Sequence, residues 1–338
     1  MPAVVARWVI AAVVAVAVLL PVVGNQSARA EPTATAPDPA QVTIGAYIDN
    51  IQMVSLETNS FDASISVWLR WTDPDLNPQD SLEITNLFQS WSLTTSSAYD
   101  EPVKQADGSY YYLVHYQGSF NTPFSVADYP FDSQTLQVVL QDTTADAGEL
   151  QFVPDSEPAG IDPTVTLPGY DIGTPSLTTG DYTYSTNFGE WDPQPGSNVV
   201  SRVVVSVPLA SPAVPGFVKT VLPILLVVAT AFLVFFVPVE LVEARVGLVI
   251  TGLLTLVAMQ LGLSGELPDV AYLLMLDVLY LCAYAFLLFA MADVIFTARR
   301  VRLGNTDGAR TVNQRVMVVL ALGYLAATAG TIVFYVAQ

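Results

Sequence analysis

Glu243, Gly247, Thr251, Leu254, Ala258, Leu261 and Gly265 recur at three- and four-residue intervals through and around the apolar stretch Val246 to Leu263. At about 3.6 residues per turn they share one helical face, while Leu248, Val249, Leu253, Leu256 and Val257 cover the others. The chemistry of such a face is ion handling, not bond making. A carboxylate at one end favours cations, a hydroxyl stands in for part of an ion's water shell, and a leucine closes a narrow path by dewetting. Small residues at this spacing also let membrane helices approach closely, so packing and pore lining both account for the stripe taken alone. Glu243 in a first helical turn would stabilise the helix dipole under either reading, and Glu240, one turn earlier, reads as a solvated neighbour.

A helix with one wet face needs a membrane and partner helices around it. Four apolar stretches are long enough to span a bilayer, which takes about 20 residues each: helices are expected at about 216–238, 243–264, 269–297 and 311–337, with a short loop at 298–310. Residues 1–30 read as a secretory signal, with Arg7 before an apolar run and Ala28-Arg29-Ala30 as the small-x-small cleavage site. Arg299, Arg300, Arg302, Arg310 and Arg315 place the loop between the last two stretches in the cytoplasm, as Arg245 does the loop between the first two. The N-terminal half and the C-terminus are then extracytoplasmic. Asp277 falls about two turns inside the third stretch, where a carboxylate needs a partner: a proton-sensitive contact to the stripe helix, or a structural hydrogen bond.

Residues 31–215 form the expected soluble domain. Phe61, Ala63, Ile65, Val67, Leu69 and Trp71 alternate with polar neighbours, the mark of a strand with one buried face. Thr135 to Gln141 repeats the pattern, Val42 to Val54 and Val199 to Val207 are β-rich, and turns such as Asp107-Gly108 and Tyr129-Pro130 separate the runs. One antiparallel, immunoglobulin-like sandwich is the predicted fold. The domain holds 24 of the chain's 31 acidic residues and only Arg70, Lys104 and Arg202 as bases, a field that attracts cations and repels nucleic acid. With a single His115, a single Cys282 and no phosphate loop or nucleophile motif, neither an enzyme, a cofactor nor an intrachain disulfide is expected.

Three groups of residues resemble one family. Trp68-Leu69-Arg70-Trp71-Thr72-Asp73 with Leu76 is similar to a W-x-x-W-x-D strand; Tyr129-Pro130-Phe131-Asp132 resembles the centre of a signature loop. Leu222-Pro223, and Glu243-Ala244-Arg245-Val246 through Leu267-Pro268, resemble the first membrane helix, the pore helix and the loop after it. In this order, over about residues 40–338, they resemble a bacterial pentameric ligand-gated ion channel of the Cys-loop receptor superfamily. The loop cysteines are absent, Ser211 stands where the family has an arginine before the first membrane helix, and Gly247 stands at a pore position often Thr or Ser.

The resemblance implies a homopentamer in a bacterial cell membrane, in contact with lipid and passing monovalent cations. Glu243 would be the selectivity ring, Leu254 the gate, and Glu57, Pro130, Asp132 and Pro268 the coupling residues. It also implies a ligand among aromatics at subunit interfaces, with Trp68, Trp91, Tyr182, Tyr184, Phe188 and Trp191 as candidate walls. Aromatics in an acidic field suit an amine by cation–π attraction; protons and divalent cations are the other small ligands, and no metal-binding set is assigned. A membrane-anchored sensor without conductance and an anion-selective channel, suggested by Arg245, are the alternatives.

Overall fold

The computed structural model describes residues 38–336 apart from 190, 192–195, 264 and 266. The expected signal at 1–30 lies outside the described residues. The alternating segment forms β2 (Ser60–Trp71), and all six of its inward residues are buried. It pairs antiparallel with β1 (Ala40–Ser55) on one side and β6 (Tyr110–Asn121) on the other. With β4 (Thr94–Ser97), β5 (Val103–Lys104) and β8 (Leu150–Ile161) they make a six-stranded sheet of order β4-β6-β2-β1-β8, β5 pairing with β6. The facing sheet has order β10-β11-β7-β3, with β9 on β11. Its strands are β3 (Leu82–Ile84), β7 (Ser133–Asp142), β9 (Asp171–Ile172), β10 (Ser176–Thr183) and β11 (Val199–Ala210).

One pair departs from the antiparallel expectation: β8 runs parallel to β1. The chain leaves β7 in the second sheet and crosses to the first, where the Ala40 N–H bonds the Glu149 carbonyl at 2.8 Å. It therefore enters beside the start of β1 and follows its direction. Between the sheets lies one core that includes Ile44, Ile65, Phe120, Leu140, Leu150, Val203 and Leu209. Each such aliphatic side chain contributes about 1.5–3 kcal/mol by leaving water.

Four membrane-length helices follow: α1 (Ala213–Phe235), α2 (Val242–Leu263), α3 (Met275–Arg302) and α4 (Thr306–Val336). α1 contains a π turn at Phe217–Val221, just before Pro223, which has no N–H to give the carbonyl four residues back. Two bounds differ from expectation. α3 starts at Met275 instead of about 269, because residues 268–274 are non-helical and the Met275 N–H bonds the Ala127 carbonyl of the sandwich at 2.8 Å. The basic loop expected at 298–310 shrinks to Leu303–Asn305, turned by Gly304 at φ 81°. Arg299, Arg300 and Arg302 extend α3 in its last turns, where cations favour the helix dipole, and Asp307 opens α4 in the same sense. Asp277 is consequently in the first turn of α3, not two turns inside, and accepts the Leu274 N–H at 3.0 Å as a helix cap.

Candidate functional site

α2 buries one narrow seam, Arg245, Val249, Gly252 and Leu256, against its neighbours. Gly252 is needed there: a Cβ would approach Ala231 of α1 at 3.4 Å and Leu287 of α3 at 3.3 Å. At about 100° per residue, the mean direction of the six stripe residues on α2, Glu243 to Leu261, lies about 180° from that seam, while Gly265 falls in a turn beyond the end of the helix. All seven stripe residues are exposed on the single chain, Leu254 at 64% and Leu261 at 70%. Nothing lies within 4 Å of where a Cβ on Gly247 or Gly265 would sit. The fold thus leaves this edge of the helix without an intrachain partner to pack on.

The seam begins at a group that the sequence does not single out. Arg245, taken as a loop cation, is in the first turns of α2 and is 0% exposed. Its guanidinium pairs with Asp293 of α3 at 3.0 Å and donates to Thr297 at 2.9 Å, to the Val234 carbonyl of α1 at 3.2 Å, and to Asn313 of α4. Asn313 in turn donates to the Phe235 carbonyl at 2.8 Å. One side chain therefore ties all four helices together, two residues from Glu243. The signal was available as polar residues inside apolar stretches, Asp293, Thr297 and Asn313, which are costly there unless they find one another. Glu240 is also more than a solvated neighbour, since Arg310 of α4 donates to it at 2.8 Å. A backbone hydrogen bond and then Arg310 hold its carboxyl below the usual carboxylate range.

At the other end, α1 and α3 meet the sandwich through the loop of Tyr129-Pro130-Phe131-Asp132, whose Tyr129-Pro130 bond is cis. Pro130 lies so close to Gly216 of α1 that a Cβ there would meet its carbonyl oxygen at 2.7 Å. Asp132 is buried and accepts from the Ser211 hydroxyl at 3.2 Å and the Gln134 amide at 2.5 Å, while its carbonyl takes the Ser211 N–H at 3.1 Å. Serine thus meets the carboxylate where the resemblance implies arginine. Leu274 joins the sandwich core and Leu267 and Val270 pack against it, so this part of the segment between α2 and α3 is built into the sandwich. Pro268 lies in that loop, and Glu57 is exposed in the turn between β1 and β2.

Residues 220–311 match the family described as the neurotransmitter-gated ion-channel transmembrane region. Over 288 residues, 81% of this chain and 77% of the relative, the chain is 23% identical to a proton-gated ion channel of Gloeobacter violaceus. Both similarities support a pentameric ligand-gated ion channel. Both are to gated ion channels, and with four helices of membrane-spanning length and apolarity the chain is a multi-pass membrane protein.

The candidate ligand walls do not all converge within the chain. Tyr182, Tyr184 and Phe188 come together on the five-stranded sheet, their rings edge to face at centroid distances of 5.0 Å. Trp91 is 82% exposed in a single turn at Ser90–Ser92, and Trp191 is 99% exposed. Trp68 lies on the six-stranded sheet, its ring over Gly45, where any Cβ would overlap it. Its indole N–H donates to Asp155 at 2.8 Å. That bond is the largest of the causes, ahead of Arg70, that hold the Asp155 carboxyl below the usual carboxylate range. A depressed carboxylate stabilises the fold above its unfolded value, about pH 3.9, and loses that contribution as pH falls through the lower folded value. Acidification below about pH 4 is therefore expected to free the Trp68 ring and change its fluorescence. Asp155→Asn should abolish that part of the acid transition; the same acid limb in both proteins would refute the link.

Proposed function

We propose that five copies of this chain form a cation-selective channel, with the stripe of α2 facing a central aqueous axis. The observation that carries this reading is the opposition of the stripe to the buried seam: a helix held by Arg245, Val249, Gly252 and Leu256 turns Glu243, Gly247, Thr251, Leu254, Ala258 and Leu261 outward together, and Gly265 is exposed in the turn beyond its end. A head-to-tail ring that closes by rotation gives those edges a common interior. Glu243 at the cytoplasmic mouth is the selectivity ring, Thr251 a hydroxyl for partly dehydrated monovalent cations, and Leu254 the dewetting gate. The burial of Arg245 beside Asp293 takes its charge away from the axis and weighs against an anion-selective pore.

Ligand binding is assigned to extracytoplasmic subunit interfaces, where Trp68 on one sheet and the Tyr182–Tyr184–Phe188 cluster on the other could meet only across two subunits. Coupling runs through Asp132, Pro130, Glu57 and the α2–α3 loop with Pro268. The bases from Arg299 to Arg315 support a cytoplasmic α3–α4 turn, in what we take to be a bacterial cell membrane.

The test is current recording from purified channel in planar bilayers, with pH steps tried first because the Gloeobacter relative is described as proton-gated. Leu254→Ala is expected to raise the unstimulated open fraction at least tenfold, by removing the apolar constriction. A variant as silent as the parent under all stimuli would remove Leu254 as the gate. An elution volume of one or two subunits in detergent would favour a non-conducting membrane sensor instead.

A further inference from the structure

The ectodomain's three basic side chains have different fates. Arg70 meets Asp155 at 3.4 Å, and Lys104 lies over the Tyr110 ring at 5.5 Å. Arg202, on β11, has no carboxylate within ion-pair distance among the described residues, in a domain dominated by acids. Its guanidinium carbon is 3.2 Å from the centroid of the Tyr182 ring and 5.8 Å from that of Tyr184. One terminal nitrogen donates to Gln141 Oε1 at 3.0 Å and to the Tyr184 oxygen at 3.3 Å. The Tyr184 hydroxyl donates to the same Gln141 oxygen at 2.8 Å. The Nε–H is buried and has no acceptor.

This arrangement changes the ligand class expected at the aromatic cluster. The face of Tyr182 that would attract an amine already carries the chain's own guanidinium, and a second cation there meets like charge. A guanidinium offers five N–H donors in a planar fork suited to a carboxylate, and the described residues give this one neutral acceptors only. Across the strand pair from Arg202 is Gly180, with nothing within 4 Å of where its Cβ would be, so a notch opens beside the fork. Glu83 lies on the same row two strands away, beyond Gln141, and Asp181 points to the alternate face of β10. Phe188 and Tyr184, edge to face, offer a carbon-lined wall.

We propose that Arg202, Tyr182, Tyr184 and the notch at Gly180 bind a small organic carboxylate, its anionic group on the guanidinium and its carbon chain against Phe188. This rests on the ligand-binding reading of the ectodomain and names the ligand's charge. Acetate, butyrate and benzoate would be titrated into full-length channel in detergent at fixed pH, against propylammonium and choline, by calorimetry. Saturable binding of the carboxylates and none of the amines is expected. Arg202→Gln should weaken carboxylate binding at least tenfold, with Arg202→Lys in between. Gly180→Leu, which fills the notch and leaves the guanidinium in place, should weaken it equally, and covers the case in which Arg202→Gln fails to fold. Saturable amine binding at this cluster, no carboxylate binding, or carboxylate binding unchanged by Gly180→Leu would each overturn the proposal. Because calorimetry needs no current, a channel that binds butyrate without conducting would keep the site and refute only the pore.

Discussion

Asp293→Ala is expected to destabilise the membrane domain by about 3–5 kcal/mol, the usual cost of leaving one member of a buried ion pair alone. The effect should be this large because Arg245 has nowhere else to go: it is fully buried, and its other partners, Thr297, Asn313 and the Val234 carbonyl, are neutral. The measurement is thermal unfolding in detergent together with the yield of assembled protein. The paired substitution Arg245→Met with Asp293→Leu removes both charges at similar volume and should recover most of the loss. Recovery would mean that the charges supply mutual dependence, not net stability. If Asp293→Ala unfolded like the parent, the four-helix tie would carry no weight.

Glu243→Gln is expected to cut the preference for cations over anions at least tenfold. A unit charge about 4 Å from an ion contributes about 1 kcal/mol even in bulk-water dielectric, and the proposed ring supplies five of them. A tenfold change needs only about 1.4 kcal/mol. Reversal potentials in asymmetric salt report it directly, and an unchanged value would remove Glu243 from the conduction path. Arg245→Met with Asp293→Leu serves as the control, since it alters charge two residues away but off the proposed axis.

The sandwich was legible where alternation is clean, as in β2 and β7. It was obscure in β6, whose Tyr110, Tyr111, Tyr112 and Tyr116 fall on both faces, and in β8, where Pro154 and Pro158 interrupt the pattern. The four membrane helices were readable from apolar length, but their ends were not. Hydropathy drops at Arg299 while the helix continues to Arg302, because charged residues at helix ends satisfy the dipole. The stripe of α2 could be drawn from spacing alone. The Arg245 clasp could not, because its members lie 48, 52 and 68 residues apart in the chain and only the packing of α2 on α3 and α4 joins them. The basis of the proposed carboxylate site was hidden for a similar reason: Tyr182 and Tyr184 are visible in sequence, but the stacking of Arg202 on them across paired strands is not.

Leu274, with Leu267 and Val270 beside it, makes the floor of the β-sandwich from residues that belong to the membrane half. The β-sandwich is therefore not self-sufficient, since part of its core comes from the segment that leads into α3. Any displacement of its sheets must repack apolar side chains of the segment between α2 and α3. In the proposed channel a stimulus would therefore reach α2 as a repacking of that shared apolar floor.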